Sequence, residues 1–221
     1  MTDRSVLVVT GGNLLARKAD PNRRKAILDA AARVFAQKGY AAARIIEVAQ
    51  AASVGKGTIY AYYRSKEELF FAVFESMMLE AGETIAAAAG QLEGSFAERM
   101  RTLSDGIIRS WLGQLDMYAL VMEFWSATAS SPSREQFKTV FQKGYRHLRT
   151  VVGTLITDAK ASGDVAAHCD AGRIASALVG TWDALLLQAW LDPAFDALAT
   201  SRAFMEVILQ GLRPVSKASS S

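Results

Sequence analysis

The sequence has one cysteine, Cys169, and only four prolines among 221 residues. A single cysteine excludes an internal disulfide, which fits a reducing, cytoplasmic location. No apolar run reaches the ~18 residues that a membrane span requires, so no membrane partner is expected. The short apolar run at residues 6–9 is followed by two glycines and no clean cleavage site, which argues against a signal peptide.

Side chains with the spacing of catalytic or metal sites are also scarce. The two histidines, His147 and His168, lie far apart in the sequence, and the run His168-Cys169-Asp170 cannot turn three consecutive side chains toward one metal. Asp170 is better interpreted as the cap of the helix that follows it. No Ser-His-Asp set, Cys-His pair, phosphate-binding glycine loop or acidic pair is present. We therefore expect no metal, no cofactor and no catalytic residues, and a protein that is not an enzyme.

The net charge of +3 conceals an asymmetry between the two parts of the chain. Residues 1–66 contain 12 Lys and Arg against 4 Asp and Glu, whereas residues 67–221 contain 13 against 18. A basic N-terminal part on an acidic body indicates a polyanionic partner for the first part alone. A solvated charged face is the alternative that charge by itself leaves open.

The stretch from Ala43 to Leu69 predicts two short helices joined by a tight turn. Apolar residues at helical spacing give a first helix of about two turns, and Ser53-Val54-Gly55 interrupts it. A second short helix, 56–62, directs Ile59 and Tyr63 inward. Two short helices across a four-residue turn are typical of a helix-turn-helix, whose second helix enters the DNA major groove.

The same stretch resembles the DNA-binding signature of the TetR/AcrR transcriptional regulators. Three parts of that signature differ here: Ala43 and Arg44 replace a hydroxyl pair, Ser53 replaces the glycine of the turn, and Gly55 replaces a serine cap. The remaining positions fit the pattern over a long stretch. The matching residues are Gly39, Tyr40, Ile45, Val48, Ala49, Ala52, Val54, Gly57, Thr58, Ile59, Tyr60, Tyr62, Lys66 and Leu69.

The resemblance implies an all-α fold, and apolar patterning along the rest of the chain is helical throughout. An N-terminal three-helix helix-turn-helix domain is joined by a long helix, starting at a Ser65–Glu68 capping box, to a larger helical ligand-binding and dimerisation domain. The predicted parts are a flexible arm at 1–19, a DNA-binding domain at 20–66, an effector-binding and dimerisation domain at 67–213, and a disordered tail at 214–221. Asp20-Pro21 opens the first helix and Gly39 ends it.

The family's contact positions predict which side chains touch operator DNA. Tyr62 and Lys66 are expected at phosphates, and Thr58 and Tyr60 at thymine methyls or phosphates. For Tyr60, packing beneath the recognition helix is the alternative. Arg44 would take over a phosphate contact from the missing hydroxyl pair. The predicted DNA-binding residues are Arg44, Lys56, Thr58, Tyr60, Tyr62 and Lys66.

Large aromatic side chains recur along the helices of the second part. In the family, such a cluster lines a cavity for a small-molecule effector, which would here be hydrophobic or flat and aromatic. A filled core is the alternative, because aromatic stripes at helical spacing often serve only packing. The predicted pocket residues are Trp111, Tyr118, Met122, Trp125, Phe141, Tyr145 and Trp182.

The segment 171–191 is apolar on nearly every side, so we expect it to be buried on every side. A body of this size covers one face, and a second subunit would cover the other, giving a four-helix interface with two-fold symmetry. Two core helices of a monomer are the alternative. The predicted interface residues are Leu178, Leu185, Leu186, Trp190, Phe204 and Ile208.

These features together predict a ligand-responsive regulator of transcription, a repressor that binds a near-palindromic operator as a homodimer. A helical small-molecule-binding or enzymatic protein, whose basic N-terminal part serves another purpose, is the second hypothesis.

Overall fold

The computed structural model describes residues 20–127 and 133–214, which contain nine helices and no strand. The predicted arm at 1–19, the start of a helix at Ser131-Pro132 and the tail from 215 onward lie outside these ranges. The helices, in chain order, are α1 (Pro21–Ala42), α2 (Ile45–Ala51), α3 (Lys56–Tyr62), α4 (Lys66–Gly90), α5 (Phe96–Leu112), α6 (Leu115–Ala127), α7 (Ser133–Ser162), α8 (Ala171–Leu191) and α9 (Ala197–Gly211). We call α1–α3 the head and α5–α9 the body, with α4 shared between them.

Side-chain caps fix where the helices begin. The Asp20 carboxylate accepts the Asn22 backbone N–H at 3.0 Å, and the Ser65 hydroxyl accepts that of Glu68 at 3.0 Å. These bonds satisfy N–H groups that a helix start leaves without partners. The Glu68 side chain does not return to Ser65, as a complete capping box requires, but accepts from the Arg64 N–H at 2.7 Å.

The core of the head continues past residue 66, where the sequence predicted the domain boundary. Phe35 at its centre meets Phe70 of α4 edge to face, with ring centroids 5.0 Å apart. Leu120 of α6 and Phe137 and Val140 of α7 belong to the same cluster and are at most 5% exposed. The head is therefore packed on a core that the body completes.

A second core lies between α5, α7, α8 and α9. Trp182 is 2% exposed and its indole N–H donates to the Ser104 hydroxyl at 3.0 Å, which in turn lies 3.0 Å from the hydroxyl of Ser201. Within the described ranges, α8 alone has the length and hydropathy of a membrane-crossing helix. Seven of its residues are buried against its neighbours in the chain, as in the core helix of a folded domain.

The seven aromatic and methionine residues predicted to line one pocket are divided between the two cores. Trp125 and Phe141 pack on the core of the head, whereas Trp111, Tyr145 and Trp182 belong to that of the body. Tyr118 lies against Trp190, with ring centroids 5.7 Å apart, and Met122 is half-buried. Helical spacing identified these residues as inward-facing but could not say which of two cores each would enter.

Three of the predicted dimer residues need correction. Leu178, Leu185 and Leu186 are at most 5% exposed within a single chain, because they face α5, α7 and α9. Phe204 and Ile208 are half-buried at the edge of the same core, and Trp190 stays 37% exposed. Because α8 is apolar on nearly every side, its sequence has no amphipathic pattern that shows which side faces inward.

Candidate nucleic-acid interface

The helix-turn-helix is built as the sequence predicted. Ile45, Val48 and Ala49 anchor α2 in the core of the head, and Ile59, 1% exposed, anchors α3. Between the two helices Ser53 adopts φ 54°, a left-handed conformation that costs an L-residue roughly 1–2 kcal/mol and that glycine adopts freely. Gly55 precedes α3 without a side-chain cap.

The outer face of α3 is apolar and basic at once. Lys56 is exposed, and its ammonium lies 5.7 Å from the centroid of the Tyr60 ring. Tyr60 remains 46% exposed, so it does not pack beneath the helix. Ile46 of α2, 42% exposed, lies on the same motif. An exposed ring beside an exposed ammonium can contact thymine methyls and a phosphate in one groove.

The start of α1 contributes to the same surface. A groove open to solvent is lined by Asp20, Arg23 and Ala26 of α1 and by Ser53 and Thr58 of the motif. Its lining also includes Ala52 and Val54.

Sequence reasoning overlooked Arg23, although a signal was present. The first turn of α1 contains no acidic residue and includes Arg23, where the helix dipole disfavours cations. A basic residue in that position favours the binding of an external anion at this end of α1.

Tyr62 connects this groove with α3. Its phenol oxygen accepts the Asp20 backbone N–H at 3.1 Å, and accepting that bond leaves the phenol proton available for donation. The neighbouring Tyr63 is only 4% exposed, and its hydroxyl has no hydrogen-bond partner. Burial raises the pKa of Tyr63. Two adjacent tyrosines thus have opposite environments.

Lys66 is placed differently from what the sequence predicted. Its ammonium donates to the backbone carbonyls of Tyr40, Ala41 and Ala43 at 2.8, 3.1 and 3.1 Å, and lies 4.6 Å from the Tyr40 ring centroid. An ammonium has three N–H donors, so all of them are used inside the protein. The geometry makes Lys66 an anchor for the end of α1 and the residue that follows it, and leaves it no donor for a phosphate.

Arg44 is held by a carboxylate. Its guanidinium donates to Glu47 at 3.0 and 2.7 Å, and Lys38 donates to the same oxygen at 3.0 Å. The Arg44 bond, followed by that of Lys38, lowers the pKa of Glu47 to about 2. The Arg44 side chain is still 73% exposed, so a phosphate could share it with Glu47.

The body contains a polar pair of which sequence reasoning selected only Tyr145. The Tyr145 hydroxyl donates to the Asp183 carboxylate, and both side chains are largely buried. Burial raises the pKa of Asp183, with the Tyr145 hydrogen bond opposing part of the rise. Burial also raises the pKa of Tyr118 of α6, and the nearby Asp183 charge raises it further. From the sequence, only the aromatic members of this group were predicted to lie in a pocket.

A helical protein that presents the second helix of a helix-turn-helix on a basic surface is a DNA-binding protein. Comparison with known proteins agrees with this class. Residues 27–73 match the sequence model of bacterial regulatory proteins of the tetR family. The N-terminal part of this chain is therefore similar to the DNA-binding domain of tetR-family transcriptional regulators.

Relatives extend beyond the motif. The fatty acid metabolism regulator protein of Bacillus subtilis is 25% identical over 189 residues, covering 84% of this chain and 93% of that protein. The transcriptional regulator YhgD of the same organism is 48% identical over 59 residues, which is 27% of this chain and only 31% of YhgD.

A solved structure shares the fold. The B. subtilis regulator FadR, crystallised with stearoyl-CoA, has a TM-score of 0.67 at 20% identity, with 86% of this chain and 99% of that chain covered.

Proposed function

We propose that this regulator acts as a homodimeric repressor whose two α3 helices enter successive major grooves of a near-palindromic operator. The observation that carries the proposal is the outer face of α3, where Lys56 and Tyr60 stand exposed on a helix anchored by Ile59. Two-fold symmetry would place the two heads about one helical turn, or ~34 Å, apart. The site of action is the cytoplasm, and no reaction is catalysed.

Within the head we propose a division of roles. Lys56 and Tyr62 contact phosphates, Thr58 and Tyr60 contact base edges, and Arg23 adds a phosphate contact from α1. No Arg stands on α3 to form the two-donor fork that reads guanine, so sequence preference depends on thymine methyls and on DNA shape.

Exposed apolar side chains support the dimer. Seven large hydrophobic residues are exposed in the described ranges, and four of them belong to the adjacent helices α8 and α9. The concentration of exposed apolar side chains on two neighbouring helices favours an interface there. The four are Leu187, Trp190 and Leu191 on α8 and Val207 on α9.

The dimer is tested with a matched pair of variants. Leu191→Asp combined with Val207→Asp places two charges in this surface, whereas Leu79→Asp alters a similarly exposed residue, 60% against 66%, on α4. Sedimentation at micromolar concentration should give a dimer for the wild type and for Leu79→Asp, and a monomer for the double variant. A monomeric wild type would refute the proposal.

For the effector we propose a hydrophobic molecule with a long acyl chain, such as an acyl-CoA thioester. The support is the relationship to the fatty acid metabolism regulator, which runs through the body as well as the head. The body offers an apolar interior with few charges, and Tyr145 and Asp183 provide a polar position at its edge.

The function is tested in two steps. Selection from a random DNA library by the full chain should enrich two inverted half-sites whose centres lie about one helical turn apart. Stearoyl-CoA, palmitoyl-CoA and free CoA are then added to the complex with the selected DNA. Release by the acylated compounds and not by free CoA supports the proposed effector, and an absence of enriched DNA at low salt would refute operator binding itself.

A further inference from the structure

The segment 39–43, which comprises the end of α1 beyond its kink at Gly39 and the first residue after it, is held from two sides by side chains of opposite charge. Lys66 of α4 binds its carbonyls, as described above. From the other side the Glu123 carboxylate of α6 accepts the Tyr40 N–H at 3.1 Å and the Ala41 N–H at 3.0 Å, one on each oxygen. A body helix therefore grips the backbone of the head through two charge-assisted hydrogen bonds.

The backbone of this segment is shaped for the carboxylate. Gly39 has φ 74° and ψ 164°, which breaks the helical path of α1 and turns the next two N–H groups away from the helix axis. A Cβ at Gly39 would lie 3.0 Å from a Glu123 oxygen. Both the conformation and the close approach require glycine here.

Glu123 lies on a helix that touches both parts of the molecule. Leu120 of α6 is buried in the core of the head, whereas Tyr118 lies against Trp190 of α8. The intervening helix is short and regular, so a displacement at Tyr118 moves Glu123 with it. The carboxylate that binds the head therefore lies on the same helix as the Tyr118 ring that contacts α8.

We infer that Glu123 is a positioning residue for operator binding, which fixes the orientation of each head on the body and so sets the half-site spacing that the dimer accepts. This inference rests on the proposed dimeric regulator. Loss of the grip leaves α3 intact but lets each head turn on the body. The protein then binds DNA of the preferred spacing more weakly. The ratio of its affinity for that DNA to its affinity for DNA with half-sites one base pair closer or farther apart becomes smaller.

The test uses Glu123→Gln in the full chain. Glutamine keeps the shape but replaces one acceptor oxygen by an NH₂ group that faces an N–H. The matched control is Asp116→Asn, which removes one negative charge from an exposed position on the same helix. Affinities are measured for the selected operator and for copies with one base pair inserted or removed between the half-sites.

The wild type and Asp116→Asn should prefer the selected spacing by the same ratio, and Glu123→Gln should reduce that ratio by about tenfold, the value of one charge-assisted hydrogen bond. Simple destabilisation lowers affinity for all spacings alike and leaves the ratio unchanged. An unchanged ratio in Glu123→Gln would overturn the inference. A wild type without any spacing preference would instead refute the paired operator.

Hydrogen exchange gives a readout that needs no DNA. The amides of Tyr40 and Ala41 should exchange about tenfold faster in Glu123→Gln than in Asp116→Asn. Equal protection in the two variants would contradict the grip. Gly39→Ala displaces the carboxylate from the opposite side and should lower the preference for one half-site spacing in the same way. A preference equal to that of the wild type would also count against the inference.

Discussion

The contact of the head with the rest of the protein and the contact between α5 and α9 use charged side chains in different ways. At the head, Lys66 of α4 and Glu123 of α6 bind main-chain groups of a single segment. In the body, Arg101 pairs with Glu206 and Arg202 with Asp105, joining α5 to α9 through side chains that are mostly exposed. Bonds to main-chain groups fix an orientation, whereas exposed ion pairs contribute about 0–1 kcal/mol each. The difference indicates that the orientation of the head on α4 and α6 is specified more strictly than the packing of α5 on α9.

The two regions are nevertheless joined by shared aromatic packing. A substitution at Phe137 tests how much the stability of the head depends on that packing. This fully buried residue of α7 stacks on Phe74 of α4 at 4.6 Å between ring centroids. Phe137→Ala should destabilise the protein by about 3–5 kcal/mol and expose the head first. Urea denaturation with hydrogen exchange checks this, with Leu79→Ala as an exposed control expected to stay within about 0.5 kcal/mol. Loss confined to the body would show that the head does not depend on α7.

The contrast between bonds to the backbone and exposed ion pairs is tested at Lys66 and Arg101. Lys66→Met removes three charge-assisted bonds and should cost about 2–3 kcal/mol, whereas Arg101→Gln should cost less than about 1 kcal/mol. Thermal and urea denaturation give both values. Equal costs would remove the distinction. At matched stability, Lys66→Met should also leave the salt dependence of DNA binding unchanged, because its ammonium is not at a phosphate.

The adjacent tyrosines test the comparison within the head itself. Tyr62→Phe removes a phosphate donor and should weaken operator binding by about tenfold. It also removes the bond from the Asp20 N–H, so the free energy of unfolding should fall by up to about 1 kcal/mol. Tyr63→Phe removes a buried hydroxyl without a partner, so it should stabilise the protein by up to about 1 kcal/mol and leave operator affinity unchanged. Operator titration and denaturation of both variants measure these effects. A loss of operator affinity in Tyr63→Phe and not in Tyr62→Phe would contradict the assigned roles.

The smallest expected effect is a pH dependence in the body. The pKa of Asp183 is raised in the folded state, so the folded protein holds this proton more tightly than the unfolded chain. The resulting stability is present at acidic pH and is lost as pH rises through the raised pKa. The Asp183→Asn variant has no titrating group at this position. Its free energy of unfolding, relative to that of the wild type, should therefore increase between about pH 4 and neutrality. Parallel pH profiles would contradict this assignment.

Local chemistry explains why the head could be predicted from sequence. Asp20 and Ser65 bind N–H groups within three residues, and the spacing of Ile59 and Tyr63 fixes the phase of a two-turn helix. A resemblance over the same residues then identified the family.

What sequence could not provide are contacts across long separations. The Glu123 carboxylate acts 83 residues away from Tyr40, and no periodicity marks it. Lys66 occupies a family contact position, yet its direction depends on where α1 ends. In α8 the apolar residues surround the helix, so the choice between Leu186 in the core and Leu187 at the surface needed the packed neighbours.

The central claim is that the outer face of α3 binds the operator. The direct measurement is the affinity of Lys56→Ala/Tyr60→Ala for the selected DNA across a salt series, beside Lys143→Ala as an exposed charge control on α7. We predict a loss of about 100-fold and a salt slope smaller by about one ion for the α3 variant, with the control within about twofold of the wild type. Equal affinities for the two variants would contradict the account.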